Sequence, residues 1–181
     1  MFFFLVLIAS IVFLDQISKF LVIIYLKNVG SVSVIPGVLR FTYVENDGAA
    51  FGMLDDHRWV FMVLSTVAIV GLLIYLWKKP PESMLCKISL AFLVGGGIGN
   101  MIDRCLYGYV VDFIDFCAFP KIWYFVFNIA DSFVCIGAAI LMAYLVIETV
   151  RETKAEKNEK IAVMDASDSE NDVTYEARDD E

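Results

Sequence analysis

The chain has 181 residues, 59% of them hydrophobic, and a formal net charge of −8. So large an apolar share in so short a chain excludes a soluble multidomain protein and predicts a membrane protein. The sequence suggests no nucleic-acid partner.

Four apolar stretches approach the roughly 20 residues that a spanning helix needs. They run from Phe2 to Leu26, Trp59 to Trp77, Leu85 to Ile102 and about Phe127 to Ile147. The expected fold is an all-α membrane domain of four transmembrane helices over residues 1–150, with outer connections at about 27–58 and 103–126.

The first stretch lacks the basic leading region of a cleavable signal peptide and stays apolar past Lys19, so it is read as a permanent helix. Inside it, Asp15 and Lys19 stand four residues apart and share a helix face. Ionisable groups at such depth are costly. Two readings stay open for them: a buried ion pair that locks the helix to its neighbours, or a group that faces substrate.

After Lys27, Pro36 and Gly37 suggest a turn, and Leu39 to Val44 a short strand of aromatic and β-branched residues. It leads into Glu45-Asn46-Asp47-Gly48-Ala49-Ala50-Phe51-Gly52, whose small residues permit close backbone approach. The second span carries no charge between Trp59 and Trp77, whose rings suit the two membrane interfaces.

The third span ends in Gly95-Gly96-Gly97-Ile98-Gly99-Asn100-Met101-Ile102-Asp103-Arg104. Glycines at this density allow helices to touch, and a phosphate loop is excluded because no Lys-Ser or Lys-Thr follows. In the next connection, Val110-Val111-Asp112-Phe113-Ile114-Asp115-Phe116 is apolar enough to return Asp112 to the membrane surface. The fourth span opens on Phe127-Asn128-Ile129-Ala130-Asp131-Ser132. With Asn128 as N-cap, Asp131 falls at the third helical position, as a capping carboxylate or as a reactive one.

Flanking charges orient the spans. Lys78, Lys79 and Lys87 lie between spans two and three, and Arg151, Lys154, Lys157 and Lys160 follow span four. Both segments are expected in the cytoplasm, with both termini inside and the two long connections outside. Residues 151–181 turn polar and acidic, and their composition predicts a disordered cytoplasmic tail. Cys86, Cys105, Cys117 and Cys135 lack zinc-site spacing, and His57 is the single histidine, so no metal or other cofactor is expected.

Two carboxylates in one partly dry site do not both ionise easily, so one tends to keep a proton while the other acts as a base. Asp112 and Asp131 are the candidates for such a pair, which can activate water and protonate a leaving amine. A transporter would spread its carboxylates along a path through both leaflets, whereas Asp103, Asp112 and Asp131 gather near one face. An assembly protein has no need of such a pair. His57 lies outside the spans, which disfavours a serine protease.

Asp15-Gln16-Ile17-Ser18-Lys19, Asn46 to Gly52, Gly95 to Arg104, Val110 to Phe113 and Phe127 to Ser132 resemble the signature blocks of lipoprotein signal peptidase, the type II signal peptidase of bacteria. The blocks occur in order over about residues 10–135. The resemblance implies an aspartyl endopeptidase, multi-pass in the bacterial inner or plasma membrane, acting as a monomer with its active site at the outer face. It would cut prolipoproteins just before a diacylglyceryl-modified cysteine, with membrane lipid as its other partner. The family's dyad maps to Asp112 and Asp131, with Asp103 the competing claimant. Asn46, Gly48, Asn100, Arg104, Asn128 and Ala130 would bind substrate or hold the dyad, and Asp15, Lys19 and Asp103 would support it. The strand near Leu39 to Val44 would belong to a small extracytoplasmic β-sheet that cradles substrate. Gly97 stands where the family commonly has alanine, and the acidic tail has no counterpart in the family core.

Overall fold

The computed structural model describes residues 2–47, 58–119 and 125–176, with side chains placed for 2–47, 62–119 and 125–158. In chain order the described residues form α1 (Phe2–Leu26), β1 (Ser31–Ile35), β2 (Leu39–Asn46), α2 (Arg58–Lys78), α3 (Met84–Leu106), β3 (Val110–Phe116), β4 (Val126–Phe127) and α4 (Ile129–Glu176).

The helices follow from composition. α1 is apolar nearly all round and leaves Phe2, Phe13, Phe20 and Tyr25 exposed, the surface expected of a helix in lipid rather than water. Among the described residues, α1, α3 and the Ile129–Asn158 part of α4 are long and apolar enough to cross a membrane. α2 forms where a span was expected, with Met62–Lys78 as its described apolar part. Ser83 caps α3 by accepting the N–H of Cys86 at 3.4 Å. At the other end Gly108 (φ +84°) turns the chain out of the helix, a conformation that L side chains rarely adopt. α3 thus runs past the expected boundary and carries Asp103 and Arg104 in its last turns.

The strands form one antiparallel sheet in the order β1-β2-β3-β4. β2 is the strand expected from Leu39 to Val44, extended to Asn46. β3 is a strand where the sequence suggested only an apolar return segment. β2 and β3 pair with Val44 opposite Asp112 and Asn46 opposite Val110, after an irregularity between Phe41 and Val44. The sheet sits on the end of α1, where Val22 and Leu26 pack against Val111 and Phe113 with Phe41, Tyr43 and Ile129 around them. Successive strand residues face opposite ways, so burying Val111 and Phe113 in this core turns Asp112 to the other side.

The backbone of α4 is helical to Glu176. Its side chains at 151–158 are all exposed. Ala, Glu and Lys favour helix locally.

Candidate active site

Three helices and the sheet each deliver polar groups to one place. From α1 come Asp15, Gln16 and Lys19. From the end of α3 come Asn100, Asp103 and Arg104. Asp112 comes from β3, Asn46 from the end of β2, and Asn128 and Asp131 from the start of α4.

The start of α4 is a reciprocal cap. Asn128 Oδ1 accepts the N–H of Asp131 at 2.8 Å, and Asp131 Oδ2 accepts the N–H of Asn128 at 3.2 Å. The capping reading of Asp131 therefore holds, but it occupies only one carboxylate oxygen. The other, Oδ1, accepts from Asn100 Nδ2 at 2.7 Å. Asn128 also reaches the second aspartate, donating through Nδ2 to Asp112 Oδ1 at 2.6 Å. Asn46 Nδ2 donates to Asp112 Oδ2 at 2.7 Å. Asn128 is thus the residue that joins Asp112 to Asp131.

Asp112 is 1% exposed. Burial pushes its carboxyl up to about 6, with the charge of Asp131 acting in the same direction; the bonds from Asn46 and Asn128 and the charge of Lys19 oppose the rise. A carboxyl titrating there is within reach of the pH at which a general acid or base works.

Behind the pair lies a second, fully buried polar layer. Lys19 Nζ is 2.9 Å from both Asp15 Oδ2 and Asp103 Oδ2, and these three residues are 2%, 0% and 0% exposed. Asp15 Oδ1 accepts the N–H of Ala130 at 2.9 Å, and Asp103 Oδ2 accepts the N–H of Val111 at 3.0 Å. Of the two readings of Asp15 and Lys19, their burial matches the locked ion pair. Asp103 is likewise occupied, because Gln16 Nε2 donates to its Oδ1 at 2.9 Å while Lys19 and Val111 share its Oδ2. These bonds tie Asp103 into the buried layer with Lys19. Among the described residues, every buried side-chain nitrogen and oxygen has a hydrogen-bond partner.

Glycine permits this convergence. A Cβ on Gly99 would lie 2.6 Å from Asp15 Oδ2, and one on Gly96 would collide with the carbonyl oxygen of Ala130. The glycine run therefore serves close packing, as expected, and the contacts it admits are those of the site. Ala130 itself is fully buried and contributes through its backbone.

Asn46, Asn100, Arg104 and Asp131 are only partly buried and form the open side of the cluster. Arg104 donates to the carbonyl oxygen of Asn100 at 3.4 Å, and its charge acts on Asp131, Asp112 and Asp103. Gly48 lies outside the described residues. Gln16 was missed as a site residue, although it donates to Asp15, Asp103 and the carbonyl of Gly99. A neutral amide beside a carboxylate inside an apolar helix was the available signal.

A family model described as signal peptidase (SPase) II matches residues 7–147. A lipoprotein signal peptidase of Caldanaerobacter subterraneus subsp. tengcongensis is 51% identical over 142 residues, 78% of this chain and 94% of the relative. One from Listeria monocytogenes is 37% identical over 149 residues, 82% of this chain and 95% of the relative. A solved bacterial membrane enzyme superposes with a TM-score of 0.75 at 31% identity, covering 82% of this chain and 90% of that one.

Proposed function

We propose that Asp112 and Asp131 are the catalytic dyad of this chain, which belongs to the signal peptidase II family and is a membrane peptidase that removes signal peptides from prolipoproteins. The observation that carries the assignment is Asn128, whose side chain bonds the carboxylate of Asp112 and the N–H of Asp131, while Asp103, the rival, is tied to Lys19, Gln16 and the N–H of Val111.

The substrate is a prolipoprotein whose cysteine already carries a diacylglyceryl group, and the bond cut is the one just before that cysteine. One aspartate takes a proton from water as the water oxygen attacks the scissile carbonyl carbon. The other, protonated, donates to the carbonyl oxygen as charge develops there. When the C–N bond breaks, the proton taken from water passes to the leaving nitrogen. Asn46, Asn100 and Asn128 aim N–H donors at the two carboxylates, and Arg104 supplies positive charge at the open side.

The chain crosses the membrane four times, with α2 as the remaining span, both termini in the cytoplasm and the dyad at the outer face. The Lys and Arg residues at 78, 79, 87, 151, 154 and 157 support that orientation. It works as a monomer, a reading favoured by the dyad and its partners all coming from one chain.

The test is cleavage of a diacylglyceryl-modified prolipoprotein by purified protein in detergent with EDTA. Wild type cuts before the lipidated cysteine; Asp112→Asn and Asp131→Asn bind substrate and do not cut. Near-normal turnover by either variant would remove that residue from the dyad.

A further inference from the structure

The polar cluster occupies one end of the helices, and at the other end α1, α2 and α3 leave a gap. Phe4, Leu5 and Ile8 of α1 and Leu73 and Leu76 of α2 line a cavity of about 210 Å³, with Lys87 of α3 in its wall. Ile8 and Leu76 are buried, whereas Leu5 and Leu73 are exposed, so the cavity has an apolar floor and opens toward lipid. Lys87 lies about 24 Å along α3 from Asp103, which sets this cavity toward the opposite membrane surface.

Two properties of the gap say what fills it. The first is apolar volume: an apolar cavity of roughly 150 Å³ already takes up benzene, so this one accepts a stretch of acyl chain. The second is unpaired positive charge. Lys78 and Lys79 stand between Leu76 and Pro80, which both line the cavity. Among the described residues, the ion pairs belong to Lys19, Lys27, Arg40 and Arg151. Lys78, Lys79 and Lys87 are therefore without a carboxylate partner there, and Glu82, the acidic residue of the same connection, is exposed.

Lys87 is the informative one of the three. Its Nζ lies 5.8 Å from the centroid of the Phe4 ring, a cation–π contact that draws the ammonium to the cavity wall. It is the fourth residue of α3, near a helix end where the dipole disfavours a cation, so helix electrostatics do not account for it. Lysines that only orient the chain would serve as well anywhere in the connection. One held over a ring beside an apolar slot brings together what a phospholipid presents, a phosphate and a chain. A signal peptide is the wrong occupant, because its leading region is itself basic.

We propose that this cavity binds one anionic phospholipid, with an acyl chain between α1 and α2 and the headgroup phosphate at Lys87, Lys78 and Lys79. In the orientation given above, that lipid belongs to the cytoplasmic leaflet, where basic pockets between helices recognise anionic headgroups. The site is independent of the dyad and braces the inner ends of three helices that carry the reacting groups at their outer ends.

The test uses the full chain in dodecyl maltoside, with affinity read from the rise in unfolding temperature as lipid is titrated. Dioleoylphosphatidylglycerol binds more tightly than dioleoylphosphatidylcholine, and glycerol 3-phosphate, which has the phosphate without the chain, gives no rise. Lys87→Gln weakens phosphatidylglycerol binding about fivefold, the scale of one lysine's attraction to anionic lipid. Lys154→Gln, which removes an exposed lysine of α4, leaves it unchanged. Leu73→Phe narrows the cavity and weakens the binding of both lipids.

Equal affinity for the two lipids overturns the proposal, as does a loss in Lys154→Gln that matches Lys87→Gln. A rise with glycerol 3-phosphate alone assigns the lysines to a soluble phosphate and overturns it too. Should Lys87→Gln fail to fold, unchanged phosphatidylglycerol affinity in Leu73→Phe overturns it instead. Binding in detergent is indifferent to which way the chain faces, so failure here leaves the proposed orientation standing, and a reversed orientation changes only the leaflet.

Discussion

Lys19 and Lys27 lie about two helical turns apart along the same stretch of chain, and each makes an ion pair of nearly the same length. Lys19 meets Asp15 and Asp103 at 2.9 Å, and Lys27 meets Glu45 at 3.0 Å. The first group is at most 2% exposed, whereas the Lys27 and Glu45 side chains are 48% and 40% exposed. Equal distances therefore conceal unequal consequences. In water the gain from a pair is largely offset by screening and by side-chain entropy. Inside the protein, removal of one partner strands a charge that has no solvent to turn to.

That contrast can be broken most forcefully at Asp15. Asp15→Ala takes a carboxylate from the buried cluster and leaves the N–H of Ala130 without its acceptor, and is expected to cost about 3–5 kcal/mol of unfolding free energy in detergent. A loss well under 1 kcal/mol would place the buried layer in the same class as the surface pair.

Gly99→Ala tests the same layer by volume. The added methyl would meet Asp15 Oδ2 at 2.6 Å. Overpacking of about 1–3 kcal/mol competes with a helix-propensity gain of about 1 kcal/mol. The result is expected to be net destabilisation together with reduced kcat, and a neutral effect on both would show that the α1–α3 contact can give way.

Asn46→Ala sharpens the comparison through pH. Asn46 donates to Asp112 and so favours its ionised form against burial. Without that donor the carboxyl rises further, so the limb of the kcat/KM profile near 6 shifts toward alkaline pH. A shift toward acid would contradict the sign of the interaction.

The smallest effect belongs to Lys27→Met. Tyr43 and Lys27 hold Glu45 below the usual carboxylate range, and Tyr43 keeps its 2.7 Å bond to Glu45 when the lysine goes. Neither unfolding temperature nor turnover is expected to change beyond error.

The two regions also differ in how far they could be read in advance. Residues whose partners lie nearby in sequence were legible. Asn128 and Asp131 are three apart, and their cap follows from helix geometry; Asp15 and Lys19 are four apart and pair as a helix face allows. The apolar helices were legible because lipid asks for a long uninterrupted run. β3 was not recognised as a strand. Its pairing with β2 joins residues more than sixty positions apart, and two aspartates interrupt its apolar pattern. The same distance in sequence hid the clamp from Asp103 to Val111, since a backbone N–H carries no residue-specific signature. Asp103 therefore stayed a rival until its ties to Lys19, Gln16 and the N–H of Val111 were seen.

The register of β3 carries a further consequence. Side chains alternate across a strand, so displacement by one residue exchanges the faces. In β3 such a slip would present Val111 or Phe113 where Asp112 stands and would bury an aspartate beneath the sheet against Val22 and Leu26. A single-residue insertion or deletion between Gly108 and Asp112 would thus alter which amino acid stands at that half of the proposed dyad, even with every residue of the cluster still encoded. Length in this strand is as much a part of the enzyme's specification as composition.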